Sequence, residues 1–205
     1  MSTRRPSHDP TSLRPGTIFF VNSIVATEVV IPEHVADFYA SANPGVVKYP
    51  DPVLRAVAEP VKRISPDVQD LIRRMITILK RANGLGLAAP QVGVSERVIL
   101  VAPVGEDIHV LINPEVVSES GAILGQEGCL SLPGLYGDVE RAAEAEVRAL
   151  NRKGKPVHLK LSGMPARIAL HEIDHLNGIL FTDRAVASSL HWHIPEDDEG
   201  EEPEI

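Results

Sequence analysis

Apolar residues recur at three- and four-residue steps through Val68, Leu71, Ile72, Met75, Ile76 and Leu79. That spacing puts them on one face of a helix. Ser65 can cap it, Pro66 suits its first position, Asp67 complements its dipole, and Asn83-Gly84 supplies a stop. A different pattern follows. Arg97 to Ala102 and Ile108 to Ile112 are rich in Val, Ile and Leu and predict strands, the second closed by an Asn113-Pro114 turn, with Glu115 to Ser118 continuing as another. Leu132 to Gly137 predicts a loop. Ala143, Ala145, Val147 and Ala149 then alternate with Glu144, Glu146 and Arg148. Singly, alanine, glutamate and arginine prefer helices, but the strict period of two predicts a strand. Asn151 to Gly154 turns the chain, and Val157, Leu159 and Leu161 alternate with His158, Lys160 and Ser162 to complete a hairpin. A second helix opens after Gly163, with Pro165 near its start, and runs to about Asn177 with Gly178 as its stop.

The two ends lack such periods. Residues 1–45 end in the turn signal Asn43-Pro44-Gly45 and are expected to form an extension, partly ordered or flexible. Residues 46–184 are expected to form one compact domain, and residues 185–205 an acidic tail. Arg4, Arg5 and Arg14 among Ser, Thr and Pro give the start some transit-peptide flavour, which Asp9 and the prolines oppose. Ile18 to Ile31 is interrupted by Asn22, Ser23 and Glu28 and is too short to span a bilayer. From Pro195 onward there are seven acids and no bases; without them the formal charge of −8 falls to −1. A near-neutral body has no electrostatic footprint for nucleic acid. Cys129 is the single cysteine, so no internal disulfide can form and a reducing, cytoplasmic setting is expected.

Chemistry concentrates in His171-Glu172-Ile173-Asp174-His175. Residues four apart on a helix lie one above the other, so two imidazoles can grip one metal ion while Glu172 stands beside it. The pattern as a whole predicts an α+β single domain, with mainly antiparallel sheets packed around this central metal-binding helix. A catalytic site of this kind takes three protein ligands and leaves a position for water. A longer metallopeptidase pattern fails for the third ligand, because its closing histidine position is Phe181. A downstream glutamate would have to come from the tail beyond Pro195, which has no core residues to fix it. Cys129 remains, and although a lone cysteine is commonly just a small buried hydrophobe, Gly128, Glu127 and Ser131 around it suit a positioned thiolate. Gly84 to Gln91 carries glycines reminiscent of a dinucleotide loop, but a helix precedes it and Pro90 follows, the reverse of what such a loop needs. Its small residues instead leave room for a peptide backbone to lie close.

Three motifs occur together: Gly-Leu-Gly-Leu-Ala-Ala-Pro-Gln at 84–91, Glu-Gly-Cys-Leu-Ser at 127–131 and His-Glu-Ile-Asp-His at 171–175. In kind and order they resemble the peptide deformylase family, over about Val46 to Arg184. The resemblance implies removal of the formyl group from the N-terminal formyl-methionine of new polypeptides, with formate as product. It implies Cys129, His171 and His175 as ligands of a divalent metal, Fe2+ expected and Zn2+, Ni2+ or Co2+ able to replace it. Glu172 is implied as general base and then acid, with Gln91 and the backbone N–H of Leu130 holding the oxyanion. Gly84, Leu85, Gly86, Met164 and Ile168 are the expected substrate-binding residues. The expected partners are N-formylmethionyl peptides and nascent chains at the ribosome, with no nucleic-acid specificity and no membrane. Tyr136 stands where many bacterial members carry arginine, so contacts to the distal part of the peptide are expected to differ.

Overall fold

The computed structural model describes residues 26–194. The leader-like start and the acidic end, residues 1–25 and 195–205, lie outside the described residues. A short helix, α1 (Ala36–Ser41), precedes α2 (Pro66–Arg81). The second begins as its sequence predicts: Ser65 accepts a hydrogen bond from the Val68 N–H at 3.4 Å and Pro66 fills the first turn. Its buried stripe is Val68, Leu71, Ile72, Met75 and Leu79. Asn83 breaks away with a left-handed φ of 49°.

Seven strands follow: β1 (Gly86–Ala88), β2 (Val98–Val101), β3 (His109–Ser120), β4 (Ile123–Cys129), β5 (Leu132–Arg141), β6 (Glu144–Leu150) and β7 (Pro156–Ser162). Then come α3 (Met164–Leu176) and a two-residue strand, β8 (His191–Trp192). One antiparallel sheet runs β1-β2-β3-β6-β7, and a second runs β4-β5-β8. Successive strand residues point to opposite faces, and in β2 both faces are covered. Val98 and Leu100 pack toward α2 with Leu87 and Ile112, while Ile99 and Val101 pack toward α3 with Ala88 and Leu111. Each such side chain contributes about 1.5–3 kcal/mol of transfer free energy, an upper bound because unfolded chains already bury some surface.

Every residue of α3 from Ala166 to Leu176 is buried. Ile168, Ala169, Ile173 and Leu176 lie against the five-stranded sheet, whereas Arg167, His171 and Asp174 reach residues of β4 and β5. The α+β architecture expected from the sequence, antiparallel sheets around a central helix, is the one that forms. Among the described residues no helix is long and apolar enough to cross a membrane.

Three local expectations are corrected. The Asn113-Pro114 turn does not end a strand, because β3 runs through it with a register shift between Ile112 and Glu115. Asn113 adopts φ 52° there, and its side chain binds both the N–H and the carbonyl of Val61. The stretch read as a loop, Leu132 to Gly137, is the first half of β5 and pairs with β4 through Gly128↔Tyr136 and Glu127↔Gly137. Pro133 is tolerated beside the irregularity between Gly128 and Cys129, where ladder bonds are already interrupted. The segment expected to open the acidic tail, from residue 185, carries regular structure: His191 and Trp192 pair with Tyr136 and Leu135, and Ile194 is buried. Two residues are too few to show a period.

Candidate active site

The turn Leu130–Ser131 joins β4 to β5 and leaves Cys129 at the end of its strand, facing the helix α3. Its Sγ lies 3.2 Å from Nε2 of His175. The ring centroids of His171 and His175 are 5.1 Å apart, as the four-residue spacing requires. One ligating atom from each of Cys129, His171 and His175 falls within 4.8 Å of the others. A thiolate and two imidazoles suit a divalent transition metal.

The surrounding groups fix these donors. His171 Nδ1 pairs with Glu127 at 2.9 Å, leaving its other nitrogen for the centre. Phe181, the residue that ruled out a longer histidine pattern, stacks on the His171 ring at 6.3 Å. Burial lowers the proton affinity of His171, but its bonds with Cys129 and Glu127 reverse this and hold it well above the ordinary imidazole value. His175 is driven well below that value, by burial first and then by the neighbouring His171 charge. Glu127 shows the same competition with the opposite result: burial pushes its carboxyl up, and hydrogen bonds from Arg141 and His171 bring it below the usual carboxylate range.

Glu172 is buried, and its Oε2 has no hydrogen-bond partner among the described residues. An orphaned carboxylate oxygen beside a converging donor set is what a metal ion and an attacking water would complete. Burial pushes the Glu172 carboxyl up to about 7, against the pull of His171. Its carboxylate packs on β1, where a Cβ built on Gly86 would overlap it. The first motif therefore needs a glycine at that position because the third motif's glutamate occupies the space. Gly86→Ala is expected to displace the carboxylate and lower kcat by about 10²-fold, the scale of a 1 Å misplacement, with little change in thermal unfolding. Steady-state kinetics beside a melting curve checks this, and a variant with near-normal kcat would remove the steric argument.

Gln91 is held in one orientation. Its Oε1 accepts from the Ala88 N–H at 2.8 Å, which turns Nε2 toward Ser131 Oγ at 3.3 Å and Cys129 Sγ at 3.4 Å. A cavity of about 710 Å³ opens over this group, and Gly84, Leu85, Gly86, Leu130, Met164, Ile168 and Tyr136 all line it. Every residue singled out from the sequence except His175 thus lines one cleft, with Ile168 buried and Met164 and Leu85 exposed on its wall. His175 is buried outside that lining, against Cys129.

The supporting charges were not anticipated. Arg141 grips Glu127 through Nε and Nη2, both at 2.9 Å, and also pairs with Asp174. Arg167 adds a bond to Glu127 at 2.7 Å, and Arg184 binds Asp174 at 2.6 and 2.7 Å. Asp174 is accordingly a buried member of this network, set apart from the three donors.

The chain's residues 44–190 match the polypeptide deformylase family. The chain is 48% identical over 140 residues to a peptide deformylase of Carboxydothermus hydrogenoformans, covering 68% of this chain and 91% of that protein. It is 49% identical over 144 residues to one of Desulfitobacterium hafniense, covering 70% and 95%. Among solved structures it resembles a peptide deformylase of Synechococcus elongatus in complex with actinonin, with 40% identity, a TM-score of 0.67, and 71% and 82% of the two chains covered. A peptide deformylase of Thermotoga maritima gives 39% identity, a TM-score of 0.66 and coverage of 68% and 95%.

Proposed function

Because the chain belongs to the peptide deformylase family, we propose that Cys129, His171 and His175 hold its metal ion while Glu172, Gln91 and Leu130 perform the reaction's proton transfer and oxyanion stabilisation. The enzyme removes the formyl group from the N-terminal methionine of newly made polypeptides and releases formate. The observation that carries the assignment of roles is the convergence of one sulfur and two imidazoles beside a partnerless Glu172 oxygen in a single cleft.

A divalent cation on this donor set supplies Lewis acidity that makes water nucleophilic at neutral pH. Glu172 takes a proton from the water as its oxygen attacks the formyl carbon. Charge then develops on the carbonyl oxygen, where Gln91 Nε2 and the Leu130 N–H donate to it. When the carbon–nitrogen bond breaks, Glu172 returns the proton to nitrogen, and the peptide leaves as an amine rather than as a far poorer anion. Leu85, Met164 and Ile168 supply an apolar wall for the methionine side chain. β1 is the outermost strand of its sheet, so Gly84 to Gly86 can receive a peptide backbone as an added strand.

Ferrous iron is the proposed native ion; the donor set itself suits iron, zinc, nickel and cobalt alike. The catalytic unit is placed at residues 46–184, acting on nascent chains in the cytoplasm as they emerge from the ribosome. Protein purified anaerobically is expected to contain iron by elemental analysis and to release formate from formyl-Met-Ala-Ser. Cleavage of an internal peptide bond without formate would overturn the reading.

A further inference from the structure

Helix α1 precedes the stretch matched to the family, residues 44–190, yet its Phe38 lines the same cavity as Cys129, His171 and Glu172. The helix is fastened to the catalytic turn. Tyr39 Oη lies 2.9 Å from the carbonyl oxygen of Tyr49 and 3.1 Å from that of Ser131, and Asn43 Nδ2 donates to the Leu130 carbonyl at 3.1 Å. The Tyr39 ring meets Trp192 edge-on at 6.1 Å. Trp192, in β8, also lies past the family match, so the two flanking segments close on one another over β5.

Gly134 marks where they meet. A Cβ built there would lie 3.2 Å from Phe38 Cε1, 3.3 Å from Ile194 Cγ2 and 3.1 Å from the His193 carbonyl oxygen. The half-buried Phe38 ring is therefore seated against β5, in the same cavity wall as Pro133, Leu135 and Tyr136. Tyr136 is itself braced by stacking on His191 at 6.1 Å. At about 710 Å³ the cavity falls in the range, roughly 300–1,000 Å³, of clefts that hold a drug-sized ligand.

We propose that Phe38 is a specificity-determining residue, forming with Pro133 and Tyr136 an aromatic, apolar wall that favours large apolar side chains immediately after the formyl-methionine. The inference rests on deformylation at the cysteine–histidine site. An aromatic wall discriminates by burying apolar area, and it does so in substrate binding rather than in the bond-breaking step.

The test compares formyl-Met-Leu-Phe amide with formyl-Met-Gly-Gly amide in wild type, Phe38→Ala and Phe38→Leu. Wild type is expected to favour the first by about five- to tenfold in kcat/KM, mostly through KM. Phe38→Ala is expected to erase that preference by raising KM for the Leu-Phe peptide, and Phe38→Leu to retain most of it. An unchanged preference in Phe38→Ala, or an equal fall in kcat for both peptides, would overturn the proposal, the second by making Phe38 merely structural. No formate from either peptide with wild type would overturn the deformylase reading and this inference with it.

Discussion

Glu172→Gln is expected to lower kcat for formate release by about 10³–10⁴-fold, without stripping the metal. Glutamine keeps the shape that packs on Gly86, so the fold and the donor set stay intact. It cannot accept a proton from water or return one to nitrogen, so one residue removes both proton transfers. General acid–base assistance contributes about 10²–10⁴-fold, and loss of both roles belongs at the upper end. The measurement pairs formate production with elemental analysis of the same preparation. A variant within tenfold of wild type would assign the proton transfers elsewhere. A variant that lost its metal would instead reveal Glu172 as part of the donor set, contrary to the separation of roles argued above.

Much of this site could be read directly because its parts are local in sequence. The four-residue step of His171 and His175 and the stripe of α2 are each written within a few turns of helix, and the hairpin of β6 and β7 within a strict period of two. The β4–β5 hairpin was hidden for the converse reason: Gly125, Gly128, Pro133, Gly134 and Gly137 interrupt the alternation and mimic a loop. Once β5 is recognised as a strand, Leu135, Gly137, Val139 and Arg141 fall on one buried face, and a cation at the end of an apolar row demands an anion. Arg141 was legible through that step alone. Arg167 and Arg184 had no such signal, since their partners lie on strands distant in sequence or are shared with Arg141. Phe38 lacked one too, because a six-residue helix is too short for a reliable period.

Arg141→Met is expected to destabilise the protein by about 3–5 kcal/mol, the scale for removing one partner of a buried ion pair. The side chain is 4% exposed and serves two anions, Glu127 and Asp174. Methionine fills the space but leaves both carboxylates short of a partner in a place water does not reach. Arg167 and Arg184 remain to offset part of the charge, which places the loss nearer 3 than 5 kcal/mol on that scale. For a chain of this size it corresponds to a fall in Tm of roughly 10 °C. Because Glu127 also orients His171, metal affinity should fall as well, by about 10- to 100-fold. Arg184→Ala is the internal comparison: its side chain is 37% exposed and it serves Asp174 alone, so it should cost well under half as much. Denaturant unfolding of the three proteins, with metal titration of each, decides the matter. If Arg141→Met lost less than about 1 kcal/mol and bound metal normally, the guanidinium would be a passenger in the core, and the orientation of His171 would have to come from its stacking on Phe181.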